Sequence, residues 1–238
     1  MKTEIKKLYI PLSEILLFVL WTIAVKTFDV AAIGPKGTEV GFAAINGFVH
    51  EATGINMSLY FVTDWLSLVP VAIMLGFALL GSFQWIKRRK ITKVDKSILL
   101  LGAFYVVLAA VYLFFEVFII NYRPVLIDGV LEASYPSSTT VLMICVMSTA
   151  ALELEKRIKN NVLKNIVYFG LLMLLFLTVI MRFFSGVHWL TDIIGGNCVG
   201  VNTVLLTPIK PEDGLSFRIR RRLEKVIFKV CKIQKTEE

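Results

Sequence analysis

Charged residues are scarce in this chain, at 18% of 238 residues, while 56% of the residues are apolar. That balance argues against an ordinary soluble domain, in which about 25% of residues are charged. Histidine and cysteine are scarcer still, with two and three residues, and the cysteines lie far apart at Cys145, Cys198 and Cys231. So few ligands at such spacings argue against a zinc site or a disulfide framework. We therefore predict that the protein holds no metal and no cofactor.

The scarcity of charge leaves long apolar runs. A helix needs roughly 20 mainly apolar residues to cross the hydrocarbon core of a bilayer, and about six runs approach that length. They lie at about 8–26, 64–86, 98–120, 138–153, 165–181 and 188–207. The sequence therefore predicts an all-α fold, a polytopic membrane protein with about six transmembrane helices in a bundle. We expect residues 1–208 to form this six-helix domain and residues 209–238 to form a basic cytoplasmic tail.

The net charge of +8 is not spread evenly along the chain. Basic residues precede the first run, fill the connections after the second and fourth runs, and recur in the tail. The positive-inside rule expects this alternation of cytoplasmic loops, so the charge argues for a membrane and against nucleic acid as the partner. We predict a cell membrane protein with both termini in the cytoplasm. The segments 27–63, 121–137 and 182–187 then lie outside.

The stretch MRFFSGVHWLTD, residues 181–192, brings charged and titratable side chains into apolar sequence. Arg182 ends the fifth run and His188 begins the sixth. Asp192 follows the histidine by four residues, on the same predicted helix face. A carboxylate that accepts from one imidazole nitrogen leaves the other nitrogen basic, which is the base-and-orienter half of a nucleophilic site. Interfacial anchoring beside Trp189 is the alternative interpretation.

A second polar cluster lies in NYRPVLIDGVLEASYPSSTT, residues 121–140, on the same predicted outer face. Arg123 ends the third predicted helix, just after the run 98–120, while Ser137 and Ser138 open the fourth. Hydroxyl residues at that place predict a helix N-terminus, whose free N–H groups bind anions. Arginine adds forked donors that suit phosphate oxygens. Together the two clusters predict a phosphoryl site on the outer face.

These residues resemble the motifs of the type 2 phosphatidic acid phosphatase superfamily of integral membrane lipid phosphatases, whose pattern is K-x6-R-P, then P-S-G-H, then S-R-x5-H-x3-D. The third motif reads MRFFSGVHWLTD here, with Arg182, His188 and Asp192 in place. The first motif reads EVFIINYRP and keeps Arg123, and the second reads PSST and keeps Ser137. Four positions depart from the pattern: Glu116 for lysine, Ser138 for glycine, Thr139 for histidine and Met181 for serine.

The resemblance implies a membrane enzyme that hydrolyses a phosphorylated lipid without a metal ion. His188 would attack phosphorus and become a phosphohistidine, and Asp192 would orient its imidazole. Four residues would hold the phosphoryl oxygens: Arg123, Arg182, Ser137 and Ser138.

The departures leave three interpretations open. Thr139 stands where the family has the histidine that protonates the leaving oxygen, and a threonine hydroxyl is too weak an acid for that task. The substrate is then a lipid diphosphate, such as a polyprenyl diphosphate, whose leaving group needs little protonation. Alternatively, another acid serves, and His50 is the one other histidine. In the third interpretation catalysis is lost, and the protein binds or transports a phosphorylated lipid.

Glu116 is the second departure that bears on chemistry. A carboxylate repels phosphate where a lysine would attract it, unless the carboxylate pairs with an arginine or a cation, or is protonated by burial. Because buried charges are normally paired, we expect a structural pairing for Glu116.

Overall fold

A computed structural model describes residues 2–206, and these residues form α-helices joined by loops and two short 3₁₀ turns. The helices are α1 (Lys2–Thr27), α2 (Ala43–Thr53), α3 (Met57–Leu66), α4 (Leu68–Arg88), α5 (Lys96–Val117), α6 (Ser138–Arg157), α7 (Asn161–Phe184) and α8 (Leu190–Leu206). The all-α prediction is confirmed. The predicted basic tail lies outside the described residues.

Each predicted apolar run overlaps a helix or a pair of helices, although the runs 98–120 and 188–207 extend beyond α5 and α8. Within the described residues, four helical stretches are long and apolar enough to cross a membrane: Met57–Arg88, Lys96–Val117, Ser138–Arg157 and Asn161–Phe184. Of the two other runs, the first contributes the shorter apolar stretch Ile15–Thr27 and the last becomes the 17-residue α8. At 1.5 Å per residue, α8 is about 26 Å long, slightly less than the roughly 30 Å hydrocarbon core.

The spanning stretch Met57–Arg88 begins earlier than the predicted apolar run 64–86 that it contains. Its first part is α3, which the sequence places in the outer segment 27–63. The Asn56 side chain accepts a hydrogen bond from the Leu59 N–H at 3.0 Å and so caps α3. Ser67, which joins α3 to α4, keeps right-handed helical backbone angles. The chain therefore runs as a nearly continuous helix of 32 residues from Met57 to Arg88.

Helix α6 lies at the centre of the bundle. Its apolar window is 78% buried, against at most 28% for the other three spanning stretches, and it packs on α7 and α8. The contact with α8 is close, because a Cβ on Gly196 would lie 3.0 Å from Thr140, and one on Gly200 would lie 2.5 Å from Ile144. Small residues that let helix backbones approach are typical of membrane bundles.

A charged network joins the helices at the end of the bundle remote from His188. Asp95, just before α5, accepts hydrogen bonds from Gln84 at 2.8 Å, from Arg88 at 3.0 Å and from Arg157 at 3.2 Å. The bond from Gln84, then that from Arg88, holds the pKa of Asp95 below its usual value. Because the folded pKa is lowered, this stabilisation is present above the usual pKa and is lost as the pH falls through the folded pKa.

Helix α2 caps the first turn of α8. Asn46 is fully buried, and its amide nitrogen donates to the Gly41 carbonyl at 2.8 Å and to the Thr191 hydroxyl at 3.0 Å. Its amide oxygen accepts from the Thr191 N–H at 3.2 Å. One side chain thus satisfies a free N–H at the start of α8 and fixes the residues that follow His188.

The turn between α7 and α8 requires glycine at position 186. Gly186 has φ +68°, and a Cβ there would lie 1.9 Å from the Gly54 carbonyl oxygen. We expect Gly186→Ala to lower the melting temperature of the detergent-solubilised protein by several degrees. The strain costs about 1–3 kcal/mol, and each kcal/mol shifts melting by about 2–4 °C in a protein of this size.

Gly170→Ala is the matched control for this substitution. Gly170 lies within α7, and an added Cβ has no neighbour within 4 Å. Alanine favours a helix over glycine by about 1 kcal/mol, so this variant should melt no lower than the native protein. Equal melting temperatures of the two variants would contradict the proposed strain at Gly186.

Candidate active site

His188 lies in the turn before α8 and is 6% exposed. Its Nδ1 is 3.0 Å from the Ser134 hydroxyl and 3.7 Å from Asp192 Oδ2. The same Ser134 hydroxyl donates a hydrogen bond to Asp192 Oδ2. Instead of the expected direct hydrogen bond between histidine and aspartate, the loop before α6 inserts a serine between them.

This arrangement selects one tautomer of the histidine. A hydroxyl has a single hydrogen, and because Ser134 donates its hydrogen to the carboxylate, its oxygen accepts from His188 Nδ1–H. The other ring nitrogen, Nε2, then carries a lone pair. Among the described residues, this buried Nε2 has no hydrogen-bond partner. The free nitrogen is in the state that nucleophilic attack requires.

Asp192 is fully buried and connects several parts of the site. Besides Ser134, its carboxylate accepts from the Trp189 N–H at 2.9 Å and from the Asn121 amide at 3.4 Å. Its main-chain carbonyl accepts from the Ser137 N–H at 3.1 Å. These bonds join the start of α8 to the loop before α6.

Both predicted arginines lie beside one aromatic ring of α3. The guanidinium of Arg182 is 4.9 Å from the centre of the Tyr60 ring, and that of Arg123 is 5.8 Å from it. Arg182 is 1% exposed and donates to the Thr63 hydroxyl at 3.1 Å, while Arg123 Nε lies 3.1 Å from the Glu132 carboxylate. Within the described part of the chain, Arg182 Nε and Arg123 Nη1 are buried without a hydrogen-bond partner. These N–H groups are available to an anion.

A cavity of about 620 Å³ lies between α4, α5 and α6. Its polar end is lined by His188, Arg123, Ser134, Ser138, Glu116 and Glu132. Its other end is apolar and includes Met74, Leu108 and Val141, one from each of the three helices. This shape fits an amphipathic molecule with a charged head and an apolar chain.

Of the residues predicted from the sequence, the structure places His188, Arg123, Ser138 and Glu116 in the lining of the cavity. Asp192 and Ser137 are buried behind that lining, and Arg182 is buried beside Arg123 at the shared Tyr60 ring. Ser137 directly precedes α6, at the N-cap position. Its hydroxyl accepts from the Thr140 hydroxyl at 3.1 Å and does not cap the helix. Thr139 is buried and is not one of the described residues that line the cavity.

His50 lies on α2, half-buried against Trp189. The two ring centres are 5.4 Å apart. Burial lowers the pKa of His50, and the Glu51 carboxylate partly opposes this effect. Although Trp189 is next to His188 in sequence, His50 is not among the described residues that line the cavity.

Glu116 differs from the expected structural pairing. It is exposed at the last turn of α5, and within the described residues it forms no ion pair. Arg123, which lines the same cavity, pairs instead with Glu132 from the following loop. The carboxylate of Glu116 therefore lines the cavity without a basic partner from the described chain.

Several residues of the site were not predicted from the sequence. Ser134 and Asn121 each lie within two residues of a motif position, and that proximity is the one signal that could have indicated them. Tyr60 and Thr63 carry no such signal, because they belong to the unpredicted α3.

The site thus combines a histidine and Arg123 at the polar end of an amphipathic cavity with a second arginine, Arg182, buried at the Tyr60 ring. Residues 114–213 match the family model of the PAP2 superfamily, and this range contains all three motifs. This segment of the chain is similar to the PAP2 superfamily.

A solved structure has a similar fold. The chain is similar to the crystal structure of a transmembrane PAP2-type phosphatidylglycerolphosphate phosphatase from Bacillus subtilis, with 18% sequence identity and a TM-score of 0.53. The match covers 91% of this chain and 96% of the other, so the fold is that of a transmembrane PAP2 protein. No curated protein sequence matches the chain.

Proposed function

We propose that this protein is a membrane lipid phosphatase that hydrolyses a phosphorylated lipid through a phosphohistidine intermediate. The match of residues 114–213 to the PAP2 superfamily model supports phosphatase activity in general. The observation that carries the proposal is the unpartnered Nε2 of His188, in a cavity whose lining also includes Arg123 with its unpartnered Nη1. A nucleophile and an N–H donor for an anion thus belong to the polar lining of one amphipathic cavity.

In the proposed reaction, His188 Nε2 attacks phosphorus and the bond from phosphorus to the lipid oxygen breaks. Asp192, acting through Ser134, stabilises the positive charge that develops on the imidazole. Arg123 and Arg182 neutralise the oxygens of the phosphoryl group, together with the N–H groups in the first turn of α6. Water then attacks the phosphohistidine, which releases phosphate and restores the histidine.

The position of Thr139 supports a diphosphate as the favoured substrate. Threonine cannot supply the proton that a departing alkoxide needs, whereas a departing phosphate monoester is already a stable anion. The same residue favours a second candidate function, a non-catalytic binder or transporter of phosphorylated lipid, in which no leaving group has to depart.

The test is phosphate release from phosphatidic acid, phosphatidylglycerol phosphate and a polyprenyl diphosphate in detergent micelles, with and without a chelator. We expect release from at least one lipid, fastest from the diphosphate and unaffected by the chelator. A folded protein that releases phosphate from none of them, yet retains a labelled lipid, would support the binder or transporter instead.

We propose that the site faces the outside of the cell membrane, with both termini and the basic tail, residues 209–238, in the cytoplasm. Asp128 and Arg89 are both exposed and lie in opposite connections. In a variant without native cysteines, we expect a cysteine at position 128 of intact cells to react with an impermeant thiol reagent. A cysteine at position 89 should react only after the membrane is opened, and the reverse pattern would contradict this orientation.

Ser134→Ala tests the link between histidine and aspartate. The substitution removes the hydroxyl that lies between His188 Nδ1 and Asp192 Oδ2. A hydrogen bond to a charged group contributes about 1.5–3 kcal/mol, so we expect kcat to fall roughly 10- to 100-fold with little change in KM. Ser134→Thr retains the hydroxyl and should recover part of the activity. An unchanged kcat in Ser134→Ala would show that the serine does not take part.

A further inference from the structure

Two carboxylates lie at the polar end of the cavity, where the family pattern has a lysine in place of one of them. Glu116 comes from the last turn of α5 and Glu132 from the loop that follows. Tyr112, one turn before Glu116, also lines the cavity, donates a hydrogen bond to the Glu116 carboxylate and lies within electrostatic range of Glu132 and Arg123. These four side chains therefore form one mixed-charge group.

The two carboxylates are in different situations. Glu132 is 39% exposed and lies 3.1 Å from Arg123 Nε, so its charge is largely compensated. Glu116 has no ion pair among the described residues, and it lies at the C-terminal end of α5, where the helix dipole adds further negative potential. The region beside Glu116 therefore attracts a cation.

The same cavity also contains the groups that attract an anion. Arg123 is 9% exposed and His188 is 6% exposed, and each has a buried nitrogen at the cavity without a partner in the described chain. The lining thus presents an anion-binding part and, at Glu116, a cation-binding part. A phosphate alone would satisfy the first part and be repelled by the second.

We propose that the protein acts on a phosphorylated lipid that carries an ammonium group, with Glu116 as the residue that selects it. This inference rests on the proposed lipid phosphatase function. The phosphate lies against His188 and Arg123, the ammonium group lies against Glu116, and the apolar chain extends between α4, α5 and α6. A lysine at position 116 would instead favour a purely anionic head group.

The experiment compares two lipids that differ in one charge: a long-chain amino-alcohol phosphate and its N-acetyl derivative. Phosphate release is measured as kcat/KM in mixed micelles for the native protein, Glu116→Gln and Glu116→Lys. We expect the native protein to favour the amine by up to about fivefold, which corresponds to the upper range for an exposed ion pair. Glu116→Gln should bring the ratio near one by slowing the amine alone, and Glu116→Lys should reverse it.

Asp128→Asn is the matched control, because Asp128 is an exposed acid of the same loop region outside the cavity lining. It should retain the native ratio. A ratio that Glu116→Gln leaves unchanged would overturn the inference. So would stimulation of the N-acetyl lipid by magnesium in the native protein but not in Glu116→Gln, because the carboxylate would then serve a metal ion.

The inference is tested separately from the proposed hydrolysis. If neither lipid releases phosphate, the proposed function fails, and retention of the two radiolabelled lipids by immobilised protein takes the place of kinetics. Tighter retention of the amine by the native protein than by Glu116→Gln would still support selection by Glu116. Equal retention by both proteins would overturn it.

Discussion

His188→Ala is expected to abolish phosphate release and phosphoenzyme formation. The substitution removes the nitrogen that forms the covalent bond to phosphorus, and loss of a covalent nucleophile costs roughly a million-fold in kcat. The measurement is single-turnover phosphate release from a labelled lipid, together with a quench in alkali, in which a phosphohistidine survives. The native protein should give a labelled band that the variant lacks.

His50→Ala is the control for this prediction, since it removes the other histidine and leaves the cavity lining intact. We expect it to retain both phosphate release and the labelled band. Labelling that persists in a folded His188→Ala protein would exclude His188 as the nucleophile. A fall of about 10²–10⁴-fold in His50→Ala would identify His50 as a general acid.

Asp192→Asn is expected to lower kcat by roughly 10³–10⁴-fold, because the imidazole loses the charge that stabilises its cationic state. The buried carboxylate also accepts from Ser134 and from the Trp189 N–H through one oxygen. If the asparagine NH₂ group takes the place of this oxygen, a donor faces the Ser134 hydroxyl and the Trp189 N–H, which are donors themselves. The phosphoenzyme should still form, but slowly, and this separates the effect from that of His188→Ala.

Asn121→Ala provides the graded comparison. Its amide makes the longest of the hydrogen bonds to the Asp192 carboxylate, at 3.4 Å, so its loss should cost less than about tenfold. Rapid-quench measurement of the burst rate reports the step that these residues affect. A burst rate in Asp192→Asn equal to that of the native protein would contradict the orienting role.

The helical framework was largely predictable because apolar length decides membrane crossing. Every predicted run lies mainly in helix, and α6 begins at Ser138 as its hydroxyl-rich start predicted. Helix α3 was missed because it is polar at several positions, and its role depends on contact with α7 and the two arginines. The contact of α3 with α7, which is distant in sequence, produces no recognisable hydrophobic periodicity in a helix of ten residues.

The proximity of His188 and Asp192 was predictable from their interval of four residues, and their side chains lie 3.7 Å apart. The predicted shared helix face is wrong, because α8 begins at Leu190 and His188 lies in the turn before it. The Asp192 carboxylate accepts from the Trp189 N–H at 2.9 Å within that turn. What spacing cannot show is a third residue from another loop, and Ser134 enters between them for that reason. The pairing of Arg123 with Glu132 likewise depends on how the loop after α5 closes.

The main chain and the side chain of Ser137 make separate contacts, and only the main chain contacts Asp192. The N–H of Ser137 joins the start of α6 to the main chain of α8, while its hydroxyl contacts Thr140. Every amino acid except proline has that N–H. This hydrogen bond between the start of α6 and α8 is therefore insensitive to the identity of the side chain at position 137. A substitution there, other than to proline, can alter the local chemistry of the helix end and leave the main-chain link between the two helices in place.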